Sequence, residues 1–143
     1  MLVVMTIERS EDDLLVAELD ATQSATWREM RELVASGAVR NRAVPWTTAG
    51  GSYPIYDGPV GQARNVLVMV GAVTPLYDWM NNGMPALAAD GSLTAPDAVR
   101  AATAAIRGER FTDGVIARAA EDGTLHAVLA ALLGWYDGRR GRA

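Results

Sequence analysis

Arg107 and Arg110 stand three residues apart, with Glu109 between them and Asp113 three residues beyond Arg110. Guanidinium forks at that spacing suit three tasks. They can clamp a carboxylate such as Asp78 or Asp113 inside a fold, grip an anionic ligand or nucleic-acid phosphate, or lie solvated on a surface. The clamp is the leading expectation, and it has a consequence for stability. Loss of Arg110 would cost about 3–5 kcal/mol if its partner is buried and under about 1 kcal/mol if it is exposed.

A second group is aromatic. Trp46, Tyr53, Tyr56, Tyr77 and Trp79 are five of the nine aromatic residues and fall within 34 positions. With one phenylalanine in the chain, such rings are expected to supply core bulk and to pin loops. The functional alternative is a rim of amphipathic rings that grips a partner.

Other chemistries find no anchor. The chain has no cysteine and one histidine, His126, which excludes thiolate and multi-histidine metal sites. His126 opens the last helical pattern beside Leu125 and reads as a boundary residue, because no partner for a general base is identifiable. Asp-Gly occurs five times, beginning at positions 57, 90, 113, 122 and 137. No calcium-loop run with a distal glutamate accompanies them, so turns and caps are expected. Asp113-Gly114 stands apart, because it falls inside an expected helix over 111–122. A glycine there costs about 1 kcal/mol against alanine, tolerable where a backbone or a bulky ring crosses. The run from Gly108 to Gly114 lacks a phosphate-loop lysine, and no nucleophile elbow is present. No catalytic residue, metal or cofactor is therefore assigned. The candidate binding residues are Trp46, Tyr53, Tyr56, Asp78, Trp79, Arg107, Arg110 and Asp113.

The elements that must position these residues are helical. Ser10 with Asp13, Thr26 with Glu29 and Thr94 with Asp97 read as helix-start boxes. Leu14, Leu15 and Leu19, then Trp27, Met30 and Val34, carry the apolar stripes of the first two helices. Pro59 starts a helix through Val60, Ala63, Leu67 and Val70. Thr74-Pro75 starts a short one through Trp79 and Met80, which Asn81-Asn82-Gly83 breaks. Val99, Ala102 and Ile106 face inward on the next, Phe111 begins another, and Leu125, Val128, Leu129, Leu132, Leu133 and Tyr136 mark the last. Residues 38–57 have no sustained period, and a small hairpin is allowed over 47–56 around Gly50-Gly51. The fold class is thus all-α: a compact bundle of about seven helices, with the last three as its core.

At 143 residues the chain fits a single domain. Residues 1–37 form an acidic helical pair, and residues 137–143 form a flexible arginine-rich tail. The net charge is −4, and residues 1–32 hold eight acids against three arginines. That balance argues against a nucleic-acid binder, although nine acids against ten arginines in the rest leave room for a basic patch. All thirteen basic residues are arginine, which points to GC-rich coding. The apolar opening Met1–Met5 is too short for a signal peptide, Met5 is an alternative start, and no run is long enough to span a membrane. A cytoplasmic protein is expected.

Tyr53-Pro54-Ile55-Tyr56, Tyr77-Asp78-Trp79, Arg107-Gly-Glu-Arg110-Phe111-Thr-Asp113-Gly114 and Glu121-Asp122-Gly123 occur in an order that resembles a small bacterial and phage family of unknown function. The likeness runs from about residue 40 to 136, so that 38–136 reads as a family-like core. It highlights Arg107, Arg110, Phe111, Asp113 and Gly114 and implies no activity or cofactor. The functional expectation is a non-enzymatic module that binds another protein and is encoded by a phage or mobile element, with a homo-oligomer allowed. The alternative is a nucleic-acid binder using Arg40, Arg42, Arg107, Arg110 and the arginine tail. An unrecognised enzyme built on Arg110, Asp78 and Asp113 comes third.

Overall fold

Hydroxyl side chains start two of the helices where their spacing places them. Ser10 Oγ accepts from the Asp13 amide at 3.2 Å, and Thr94 Oγ1 accepts from the Asp97 amide at 3.2 Å. Each satisfies one of the amides that a helix start leaves without an internal partner. The computed structural model describes residues 10–48 and 50–140. In chain order the helices are α1 (Glu11–Ala17), α2 (Ser24–Ser36), α3 (Gly58–Met69), α4 (Trp79–Asn82), α5 (Ala95–Gly108), α6 (Val115–Glu121) and α7 (Thr124–Arg140). Between α2 and α3, β1 (Trp46–Thr47) and β2 (Tyr53–Pro54) pair antiparallel, with Trp46 opposite Pro54 and Thr47 opposite Tyr53. Helix accounts for 57% of the described residues, so the all-α expectation with one small hairpin holds.

The core is built on α5 and α7, which share the most extensive helix contact. Ala98, Ala101, Ala102 and Ala105 of α5 are buried, as are Leu125, Val128, Leu129 and Leu132 of α7. Alanines let the two backbones approach, and each fully buried leucine contributes roughly 1.5–3 kcal/mol. Helix α2 lies against α7 and α3, and α1 lies against α5. Arg100 of α5 ties α1 down: its Nε donates to Glu11 Oε1 at 3.1 Å, and its guanidinium also pairs with Asp12. The same side chain donates to Asp97 Oδ1 at 2.8 Å and lies 5.9 Å from the centre of the Tyr77 ring.

Several element starts differ from the sequence expectation. Helix α2 begins at Ser24, so Thr26 is a buried residue within its first turn and not a cap. Helix α4 begins after Asp78, whose carboxylate accepts from the Asn81 amide, and not at Thr74. Thr74 is buried, and its amide donates to Thr103 Oγ1 at 3.2 Å, which ties this segment to α5. Helix α6 begins at Val115 and not at Phe111, because Gly114 adopts a φ of +99° that interrupts the helical path. At the other end, α7 runs on through Arg140, so residues 137–140 are helical where a flexible tail is expected. Asp137 pairs with Arg31, and Arg139 lies 4.9 Å from the Trp135 ring centre; these contacts hold the added turn. Residues 141–143 of the expected tail, and Met1 to Arg9, lie outside the described residues.

Candidate functional site

Helix α6 is preceded at its N-cap by Gly114, which has no side chain to cap it. Its free amides are satisfied from elsewhere. Glu109, the residue after α5, receives the Gly114 amide on Oε2 at 2.8 Å and the Ile116 amide on Oε1 at 2.8 Å. The Tyr56 hydroxyl donates to Glu109 Oε1 at 2.7 Å and accepts from the Ala117 amide at 3.0 Å. One carboxylate and one phenol thus join the end of α5, the start of α6 and the segment after the hairpin. Burial, and then the hydrogen bond to Glu109, push the Tyr56 hydroxyl well above the usual tyrosine range. It therefore stays protonated and keeps donating. Both oxygens of Glu109 are taken up by donors of the fold itself, so this cluster performs architecture.

Trp46 completes the corner. A Cβ on Gly114 would come within 2.7 Å of Trp46 Cζ2, so the indole face occupies the space a side chain would need. A crossing ring is the feature expected at this glycine, and it comes with a left-handed backbone that itself favours glycine. On the neighbouring side of the turn, Trp79 packs near Gly108, and its ring lies 5.7 Å from that of Phe111. Phe111 is 71% exposed, as is Met80 of α4, while Trp46 is 44% and Tyr53 48% exposed. Trp46, Trp79 and Phe111 thus flank a turn fixed by hydrogen bonds.

The residues singled out from sequence separate into three groups. Trp46 and Trp79 fall on the corner with ring area partly exposed, Tyr56 pins it through Glu109, and Tyr53 is exposed on the hairpin opposite Thr47, on the other face of the ladder from Trp46. Tyr77, grouped with them as an aromatic, is buried and donates from its hydroxyl to the Gly83 carbonyl at 2.6 Å. Asp78 is exposed and is used up in capping α4, where it also accepts from Asn81 Nδ2 at 2.6 Å. The arginine clamp is not formed. Arg110 and Asp113 are exposed, and neither makes an ion pair among the described residues. The clamping arginine is Arg100, which sequence spacing did not mark because Glu11 and Asp12 lie 88 or more positions away. Arg107 is half-buried, and its Nε has no hydrogen-bond partner among the described residues. The residue that sequence reasoning passed over is Glu109. A carboxylate five positions before the glycine that leads into an otherwise uncapped helix was the signal available for it.

Two further clefts carry polar groups. One, of about 190 Å³, is lined by Arg40, Asn41, Asp90, Asp122 and His126 among others. Burial and then the charge of Arg40 hold His126 below the usual histidine range, and its Nδ1 has no partner among the described residues. The other, of about 270 Å³, lies between α3 and the α5–α6 turn. Among the described residues no group of three or more histidine, cysteine or acidic side chains could hold a metal ion. Nor is any helix among them long and apolar enough to cross a membrane.

Residues 49–138, more than half of the chain, match the model of a family described as a family of unknown function, DUF6508. The matched segment takes in Tyr53, the Glu109 corner and most of α7, while Trp46 lies just outside it. No curated protein and no solved structure matches the chain.

Proposed function

We propose that this chain, which belongs to the DUF6508 family, is a non-enzymatic binding module that grips a protein partner with the apolar rim of its α5–α6 corner. The observation that carries this is the exposure of Phe111, at 71%, beside the Trp79 ring on a turn whose Gly114 lies against the partly exposed Trp46, with Met80 of α4 exposed to the same degree. Aromatic anchors held on a hydrogen-bonded turn lose little conformational freedom on docking, and such anchors dominate interface energetics. Scattered single apolar residues are ordinary on a surface, but a group around one fixed turn suits an interaction site. The absence of lysine supports a GC-rich bacterial or phage origin, and the proposed compartment is the cytoplasm.

A nucleic-acid role through Arg40, Arg42, Arg107 and Arg110 has less support. Arg40 shares its cleft with Asp90 and Asp122, and Arg107 is half-buried. The test of the protein-binding role is affinity capture from a GC-rich bacterial lysate with the intact chain and with Trp46→Ala, Tyr53→Ala and Phe111→Ser. A specific protein retained by the intact chain and lost by folded variants is the expected result. Retention by all three variants, or capture only of nucleic acid in a salt-sensitive manner, overturns it.

A further inference from the structure

We propose that the groove between α3 and the α5–α6 turn binds a small amphipathic anion, a carboxylate carrying an aliphatic tail. The groove is open to solvent, offers about 270 Å³ and is lined by Arg64, Val68, Ile106, Glu109, Arg110 and Ile116. That volume stands near the lower edge of small-ligand pockets and suits a single chain more than a ring system with branches. The site shares none of Trp46, Tyr53 and Phe111 with the apolar rim and does not depend on the protein-binding role.

Two features define the ligand class. The first is charge. Arg64 from α3 and Arg110 from the turn are exposed, and neither makes an ion pair among the described residues. The one acid lining the groove is Glu109, whose oxygens already receive Tyr56, Gly114 and Ile116. Two uncommitted guanidinium forks from different elements therefore face a groove whose carboxylate is bound elsewhere, and such forks match a carboxylate head. The second is the apolar floor. Val68 is 54% exposed although it lies on a helix whose other face is core. Ile106 is half-buried and also lines the groove, and Ile116 is buried against the core. An aliphatic tail along the exposed Val68 and the half-buried Ile106 would remove apolar surface from water, while its head reached Arg64 and Arg110. An amine head would be repelled, and inorganic phosphate would gain nothing from the floor.

The experiment titrates the full chain with decanoate below its aggregation concentration, with decanol and decylamine as controls, followed by calorimetry and backbone amide NMR. Saturable one-to-one decanoate binding is expected, with shifts at Val68, Ile106 and Ile116 and an affinity about 10-fold above that of decanol. Arg64→Gln and Arg110→Gln should each weaken decanoate binding about 5- to 10-fold, with melting temperatures unchanged because both residues are exposed. Binding without saturation, equal binding of decanol, or shifts confined to the Trp46 and Phe111 rim would overturn the proposal. So would full decanoate affinity in both arginine variants, or a short acidic leucine-bearing peptide binding where decanoate does not.

Discussion

Two aromatic clusters in this chain have similar residue types and opposite fates. Trp27, Trp135 and Tyr136 join α2 to α7. Trp27 stacks on Tyr136 at 4.6 Å between ring centres, with only 8° between the planes, and its indole donates to the Asp20 carbonyl at 2.8 Å. Trp27 is 1% exposed. Trp46, Trp79 and Phe111 gather at the α5–α6 turn, where the Trp79 and Phe111 rings lie 5.7 Å apart and most of Phe111 faces water. The first cluster sits between the inward faces of two long helices. The second draws one ring each from β1, the short α4 and the α5–α6 turn, where backbone hydrogen bonds to Glu109 and Tyr56 fix the geometry without covering the rings. Large rings therefore serve stability in one place and are left over in the other, and a surplus of exposed ring area is what a docking surface needs.

The widest separation between the clusters should appear on truncation. Trp27→Ala should cost about 3–5 kcal/mol, because it leaves a cavity under α2 and α7; chemical denaturation measures it, and a loss below about 1 kcal/mol would place that cluster with the exposed one. Glu109→Ala comes next, at about 2–3 kcal/mol. It orphans the Gly114 and Ile116 amides and the Tyr56 hydroxyl, and hydrogen exchange at the start of α6 should rise with it. Gly114→Ala should cost about 1–3 kcal/mol, through both its φ of +99° and the collision with Trp46. Trp46→Ala in the same background should recover part of that loss, and a double-mutant cycle without coupling would remove the ring from the account.

Tyr56 supplies a pH test of the same corner. Its folded-state hydroxyl is raised above the unfolded value of 10.0. The stabilisation is therefore fully present below about pH 10 and is lost as pH rises beyond it, since the unfolded chain then binds fewer protons. Tyr56→Phe should flatten that alkaline decline in part, Tyr77 being raised as well by burial; an unchanged slope would mean that the pin is open to solvent. The smallest effects belong to exposed side chains. Arg110→Ala and Phe111→Ala should each change stability by less than about 1 kcal/mol, which separates Arg110 from the buried clamp its spacing suggests. A loss of several kcal/mol in a thermal melt of Arg110→Ala would restore that clamp.

Much of the helical frame was legible because its signals are local. Ser10 and Thr94 cap as their spacing predicts, and the stripe from Leu125 to Tyr136 lies inward on α7. The hairpin could be placed from Gly50-Gly51 and the flanking rings. The misplaced starts have separate causes. Helix α2 already begins at Ser24, Thr74 is buried with its amide on Thr103, and the left-handed Gly114 separates Phe111 from α6. At the candidate site the same division holds. The run from Arg107 to Gly114 was visible as unusual, and the ring crossing Gly114 was foreseeable as a type of contact. The identity of that ring, and the role of Glu109 beside it, were not.

Local spacing in the chain set the helices, the absence of cysteine and the single histidine set the chemistries out of reach, and clustering of rings set where a surface was worth seeking. Only the tertiary structure decided which charges meet: Arg100 with Glu11 and Asp12 across the bundle, Glu109 with amides and a phenol, and Arg64 and Arg110 with neither. Helix formation and capping depend on residues within a turn of one another, so they can be read along the chain. Charge pairing and ring burial depend on which faces the packed helices bring together, and no spacing within 143 residues encodes that directly.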